Sequence, residues 1–167
     1  MKSTLITLLF SILFGFSQTA WCEQSRNIYL LRHAEKIQGG TRDPSLTEVG
    51  RSRASNLVEQ LKNQSIVAIY SSDYLRTKET AAPLAKHLGL TIQLYDPRKL
   101  KAFAKQILST KGNIVIVGHS NTTPQLVILL GGDAHGDIDE SEYDRLYRLT
   151  VSKNKTLTKL LRSRPIQ

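Results

Sequence analysis

Apolar residues fall along this chain in two alternating patterns. Short continuous runs occur at Asn27-Ile28-Tyr29-Leu30-Leu31, Ser65-Ile66-Val67-Ala68-Ile69-Tyr70, Leu90-Thr91-Ile92-Gln93-Leu94 and Asn113-Ile114-Val115-Ile116-Val117. Runs of this length, rich in β-branched residues, read as strands buried on both faces. Between them the apolar positions recur at helical spacing. Ala54, Leu57, Val58 and Leu61 form one face of a helix predicted from about Thr47 to Lys62, with Thr47 as N-cap and Gly50 tolerated early. A second helix should follow Ser71-Ser72-Asp73 and stop at Gly89, bent by Pro83. A third should open at Pro97 and run from about Arg98 to Ser109, and a fourth from about Thr123 to Leu130, closed by Gly131-Gly132. Tyr143 to Val151 and Thr156 to Leu161 read as a terminal hairpin around Ser152-Lys153-Asn154-Lys155. Strands alternating with helices predict an α/β fold with a mainly parallel central sheet and helices on both faces.

The first 22 residues break this pattern. Lys2 precedes an apolar stretch from Leu5 to Phe16, and no further charge appears until Glu23. A positive start, a short apolar segment and a small-residue end read as a secretory signal peptide over residues 1–22, leaving one domain over 23–167. The stretch is shorter than the ~20 residues a membrane-spanning helix needs. Cleavage is expected after Cys22, where Ala20 and Cys22 supply the small positions; Trp21 argues against a lipoprotein signal. The expected location is periplasmic or secreted, with no stable membrane span after cleavage. The mature chain then has no cysteine, so a disulfide framework is excluded and about 145 residues fold on hydrophobic burial alone.

Charge changes the picture next. The net charge is +9, and six of the fourteen acidic residues lie between Asp133 and Asp144. The rest of the chain is strongly basic, which raises the local concentration of anionic substrates. No zinc-finger, helix-turn-helix or aromatic-basic stacking motif is present, so nucleic acid is not an expected partner. The acidic segment lacks the EF-hand spacing of oxygen ligands and reads as a solvated loop that balances the basic surface. His135 within it has no companion at metal-ligand spacing, and His87 reads as a histidine near a helix C-terminus.

The chemistry sits at the strand ends. Arg32 and His33 follow the first strand, Arg76 lies just after the second, and His119 follows the fourth in Gly118-His119-Ser120-Asn121. C-terminal strand tips on one edge of a parallel sheet are neighbours, and ligands bind there. Two guanidiniums and two imidazoles can then surround one tetrahedral anion, arginine through bidentate charge-assisted bonds. Ser120, Asn121 and Lys36 are candidate additional donors. The competing role for Ser120 and Asn121 is capping of the following helix, and Lys36 is equally suited to solvent.

The ordered set Arg32-His33-Ala34-Glu35, Ser71-Ser72 with Arg76-Thr77 and Thr80-Ala81, and Gly118-His119-Ser120 resembles the histidine phosphatase superfamily. Asp43-Pro44-Ser45-Leu46-Thr47-Glu48-Val49-Gly50-Arg51 resembles that family's entry into its first helix. The resemblance covers roughly residues 27–150. It implies the phosphoglycerate mutase-like three-layer sandwich and a metal-independent phosphatase without cofactor. His33 would become a phosphohistidine, held and neutralised by Arg32, Arg76 and His119, and water would then release phosphate. The implied substrate is a phosphorylated small molecule, or a phosphoprotein or envelope phosphate. The alternative is a non-catalytic phosphate-binding protein with the same pocket. Family enzymes often use a carboxylate beyond the second helix as general acid, and Asp96 is the only one in that segment, with N-capping of the third helix as its competing role. Glu35 is expected to orient His33 or pair with Lys36, and Glu79 to hold Arg76.

Overall fold

The computed structural model describes residues 25–165. The proposed signal peptide, with Cys22, lies outside the described residues. Strands β1 (Arg26–Arg32), β2 (Ile66–Ser72), β3 (Ile92–Tyr95), β4 (Asn113–Gly118), β5 (Arg145–Val151) and β6 (Thr156–Arg162) form one sheet in the order β3-β2-β4-β1-β5-β6. The β3, β2, β4 and β1 pairings are parallel, and β5 and β6 add antiparallel beside β1. Helices α1 (Glu48–Leu61), α2 (Leu75–Leu88), α3 (Leu100–Ser109) and α4 (Thr122–Leu129) connect them. Among the described residues no helix is long and apolar enough to cross a membrane.

Strand alternation divides the core between two faces. Tyr29, Leu31, Ile69, Val115 and Val117 pack against Leu57 and Leu61 of α1 and Ala81, Leu84 and Ala85 of α2. Ile28, Leu30, Tyr70, Ile114 and Ile116 pack on the other side against Phe103 and Ile107 of α3 and Leu126 and Val127 of α4. The chain therefore runs outward from β1 to β2 to β3 over one face. It returns through α3 over the other to insert β4 between β2 and β1. Right-handed crossovers require this exchange of faces when the direction of travel reverses. The reversal makes the β1–β4 boundary a topological switch point, and the crevice beyond its strand ends is the favoured ligand site.

Local signals acted as expected at α1 and α2. Thr47 Oγ1 accepts the Gly50 amide, and Gly89 closes α2 in the left-handed region at φ +65°. A Cβ on Gly50 would fall on the Glu35 backbone carbonyl, so this glycine lets α1 sit against the turn leaving β1. Pro97 does not open α3. Lys99 N–H donates to the Asp96 carbonyl at 3.0 Å in a turn, and the helix starts only at Leu100. The hairpin begins at Arg145, two residues later than its apolar pattern implied, because residues up to Asp144 belong to the preceding loop.

Candidate active site

Register brings the two histidines together. Arg32 is paired with Gly118 across β1 and β4, and the ladder continues one step as His33 N–H donates to the Gly118 carbonyl at 2.9 Å. His33 and His119 therefore leave adjacent strand tips, with ring centroids 5.6 Å apart and planes at 69°. Arg76, in the first turn of α2, carries its Nη2 to 3.4 Å from His119 Nδ1. Arg32, His33, Arg76, His119, Ser120, Asn121 and Lys36 all line one open cavity of about 570 Å³, joined by Tyr74, Arg98 and Glu140. Gly118 has no room for a side chain: a Cβ would lie 2.9 Å from both Thr123 Oγ1 and the Tyr95 hydroxyl.

The hydrogen bonds fix the state of each ring. His33 Nδ1 lies 2.8 Å from the Ala34 carbonyl, which can only accept, so the neutral ring carries its proton on Nδ1 and keeps the lone pair on Nε2. His33 is 3% exposed. Burial is the main force lowering its pKa to about 3; the Ala34 bond opposes it, and the charges of Arg32, His119 and Arg76 add to it. At His119, Nε2 lies 2.8 Å from Ser72 Oγ and Nδ1 faces the Arg76 donor. The neutral tautomer that satisfies both carries its proton on Nε2. Burial, then the charges of Arg76 and Arg32, hold His119 at about 4. Both rings are therefore neutral near pH 7. An entering dianion reverses the field at His119 Nδ1 and favours its protonation there.

Arg32 is 1% exposed and unusually well held. Its Nη1 donates to the carbonyls of Asp139, Glu140 and Glu142 at 2.9–3.0 Å, its Nη2 donates to the Glu140 carboxylate at 2.7 Å, and its guanidinium lies 4.2 Å over the Tyr143 ring. Arg76 lies 4.4 Å over the Tyr74 ring and 3.4 Å from Asp43, which also accepts the Leu75 amide at the start of α2. Arg32 Nε and Arg76 Nε are buried donors without an acceptor among the described residues. Two planar forks held from behind, each with a donor uncommitted, suit a phosphoryl group.

Several expected partners differ. Asp96 does not line the cavity. Its carboxylate accepts from the Arg98 backbone and from the Arg98 guanidinium at 2.9–3.0 Å, and the two hold its pKa down at about 2. It closes its own turn rather than capping α3, and Arg98 takes the place at the rim. Glu35 pairs with Arg53 rather than His33 or Lys36; against the raising effect of burial, the Arg53 hydrogen bonds keep its carboxyl below the usual range. Glu79 accepts from Ser45 Oγ and Leu46 N–H at 2.7 Å and fastens the 43–47 loop, leaving Arg76 to Asp43. Neither Ser120 nor Asn121 caps α4. Ser120 Oγ donates to Glu140, and the Asn121 side chain makes no cap bond.

The acidic segment is largely exposed, as expected, but it is anchored at several points. Ala134 and Ile138 are buried, Arg145 donates to the carbonyls of His135 and Gly136, and Glu142 pairs with Arg145 and Arg162. Glu140, Tyr143 and Tyr74 are site residues that no sequence signal singled out, and Ser72 stands in a quoted motif without an assigned role. The run of acids reads in sequence as surface charge without a cation-binding spacing, and nothing local marks it as the segment that wraps Arg32.

Residues 28–98 match the family model of the histidine phosphatase superfamily (branch 1). That segment holds Arg32, His33 and Arg76; His119 and Glu140 lie beyond it. A Yersinia pestis protein named probable phosphoglycerate mutase GpmB is 41% identical over 78 residues, which are 42% of this chain and 35% of the relative. The chain thus matches about a third of the length of its curated relatives. A mycobacterial glucosyl-3-phosphoglycerate phosphatase superposes with a TM-score of 0.64 at 16% identity, over 86% of this chain and 100% of that one. An α-ribazole phosphatase from Shigella flexneri gives 0.63 at 17% identity, over 84% and 98%. At these identities the solved structures are similar in fold: the mixed six-stranded sheet with helices on both faces.

Proposed function

We propose that this chain works as the histidine phosphatase superfamily it matches, as a metal-independent phosphatase acting on phosphomonoesters through a phosphohistidine on His33. One observation carries the reading: the Nδ1 proton of a buried, neutral His33 is committed to the Ala34 carbonyl, leaving Nε2 as a lone pair in a cavity shared with Arg32, Arg76 and His119. Nε2 attacks phosphorus, and the phosphoryl oxygens are held by the two guanidiniums and by His119, protonated as the dianion binds. Water then attacks the phosphohistidine and frees neutral His33. Positioning and charge stabilisation supply most of the acceleration in such transfers.

The N-terminal pattern supports an exported enzyme, and the cationic cavity supports an anionic partner: a phosphorylated small molecule, a phosphoprotein or an envelope phosphate. The 570 Å³ cavity is open, with room for varied leaving groups. Purified protein is expected to hydrolyse p-nitrophenyl phosphate with EDTA present. Acid-sensitive, base-stable labelling of the protein by a ³²P-phosphomonoester is expected in quenched reactions. Phosphate binding by calorimetry without turnover on a broad substrate panel would replace this reading with a phosphate-binding protein.

The pairing of Asp96 with Arg98, outside the cavity, supports a reaction that does not use it. Asp96→Asn is expected to change kcat/KM for p-nitrophenyl phosphate and for an alkyl phosphate by less than about 3-fold, since its carboxylate serves a turn outside the cavity and surface changes of this kind are small. Steady-state kinetics on the two substrates check this; a large loss confined to the alkyl ester would restore the assignment.

A further inference from the structure

Among the described residues, Glu140 is the one carboxylate lining the cavity. It sits in the acidic loop, far in sequence from every motif of the site. Its Oε2 accepts from Arg32 Nη2 at 2.7 Å and its Oε1 from Ser120 Oγ at 2.5 Å, so the carboxylate bridges two of the groups positioned to hold a phosphoryl oxygen. The side chain is 76% exposed, on the solvent side of the cavity it lines. The backbone around it is fixed, because Arg32 Nη1 holds the carbonyls of residues 139, 140 and 142. An exposed carboxylate is thus mounted at the edge of the anion seat, on a loop whose backbone Arg32 holds.

We propose that Glu140 is the proton donor to the leaving oxygen, and the base for the water that follows. The proposal rests on the phosphatase reading above. The entering phosphoryl group competes for Arg32 Nη2 and Ser120 Oγ and displaces the carboxylate from both. Before that, the Ser120 bond and then Arg32 hold Glu140 ionised, with Lys36 adding to the effect. Loss of those bonds beside a dianion favours the protonated acid, against the opposing charges of Arg32, Lys36 and a protonated His119. As the His33 Nε2–P bond forms and the P–O bond breaks, the Glu140 proton passes to the ester oxygen and the alcohol departs neutral. Water then adds to phosphorus, gives its proton to the Glu140 carboxylate and expels neutral His33. Ester and water become alcohol and phosphate, with nothing else consumed.

The test is Glu140→Gln, compared with wild type on p-nitrophenyl phosphate and on a simple alkyl phosphate, using kcat/KM, which reports the steps through phosphoryl transfer to the enzyme. The alcohol of the first is a good leaving group without a proton, and that of the second is not. The expected result is a loss of about 10²-fold or more on the alkyl ester and of less than about 5-fold on the aryl ester. Glutamine keeps the backbone carbonyl that Arg32 holds and nearly the same shape, and the melting temperature is expected to stay within a few degrees. Equal losses on the two esters would make Glu140 a positioning residue for Arg32 and overturn the proposal, as would no loss on either. A wild-type protein inactive on both would overturn the phosphatase reading as well, so the two failures are told apart by the wild-type rates.

Discussion

His33→Ala is expected to lower kcat for p-nitrophenyl phosphate by about 10⁴-fold or more, with phosphate still bound. The size follows from the role: removing a nucleophile leaves only the residual acceleration from binding and charge stabilisation. The fold should survive, because the His33 backbone bond to Gly118 does not involve the side chain and the ring adjoins the open cavity. Stopped assays over hours, with calorimetry of phosphate binding on the same sample, check both halves. Undiminished turnover would remove His33 from its role. The same residue sets the acid limit. Protonation of Nε2 removes the lone pair, so kcat/KM should fall as pH drops through about 3 in the free enzyme.

Stability imposes an earlier limit. The folded pKa values of His33 and His119 lie below the unfolded value of about 6.5, so the unfolded chain binds more protons between them. Stability is therefore fully present above about pH 6.5 and declines as pH falls toward 4 and then 3, by up to about 1.4 kcal/mol per pH unit for each histidine at the steepest point. Melting temperature against pH reads this directly, and a curve flat from pH 7 to 4.5 would contradict the burial of both rings.

Arg32→Ala should have the second largest effect and should act twice. Chemically, it removes the fork beside His33, and loss of one such donor costs roughly 10²–10³ in kcat. Structurally, it leaves the carbonyls of Asp139, Glu140 and Glu142 without their shared donor and strips the stack from Tyr143. Removing a buried guanidinium that makes four hydrogen bonds costs about 3 kcal/mol. For a chain of this size that is a drop in melting temperature of about 6–12 °C. Hydrogen exchange should localise the loosening to residues 139–143. Arg32→Lys keeps the charge and loses the planar fork, so it should recover little of either loss. If Arg32→Ala kept both its rate and its melting temperature, the loop would not depend on this side chain, and the anion seat would be built otherwise.

The elements were legible because their causes are local. The apolar runs at 28–31 and 114–117 carry no polar residue that either sheet face would reject, and Thr47 and Gly89 act within one turn of themselves. The boundaries of α3 and β5 were not, because a turn closed by Asp96 and the wrapping of residues 134–144 overrode the local pattern. At the site, Arg32, His33, Arg76 and His119 could be named from strand ends alone, since a parallel sheet forces its C-terminal tips onto one edge. Ser72 lay inside a quoted motif and Tyr74 in the gap between its parts, and neither carried a role, because only the fold shows which ring or hydroxyl faces His119.

The sequence by itself therefore determined the α/β pattern, the strand tips that bear the chemistry and the cationic character of the pocket. Each follows from period, from residue type or from the one-sided placement of loops. Tertiary structure alone decided which carboxylate meets which cation. Glu35 went to Arg53, Glu79 to the Ser45 hydroxyl and the Leu46 amide, Asp96 to Arg98, and Glu140, 108 residues from Arg32 along the chain, to the anion seat. Charged side chains are long and their attraction has no period, so their partners are chosen by distance in space, which exists only once the sheet has closed.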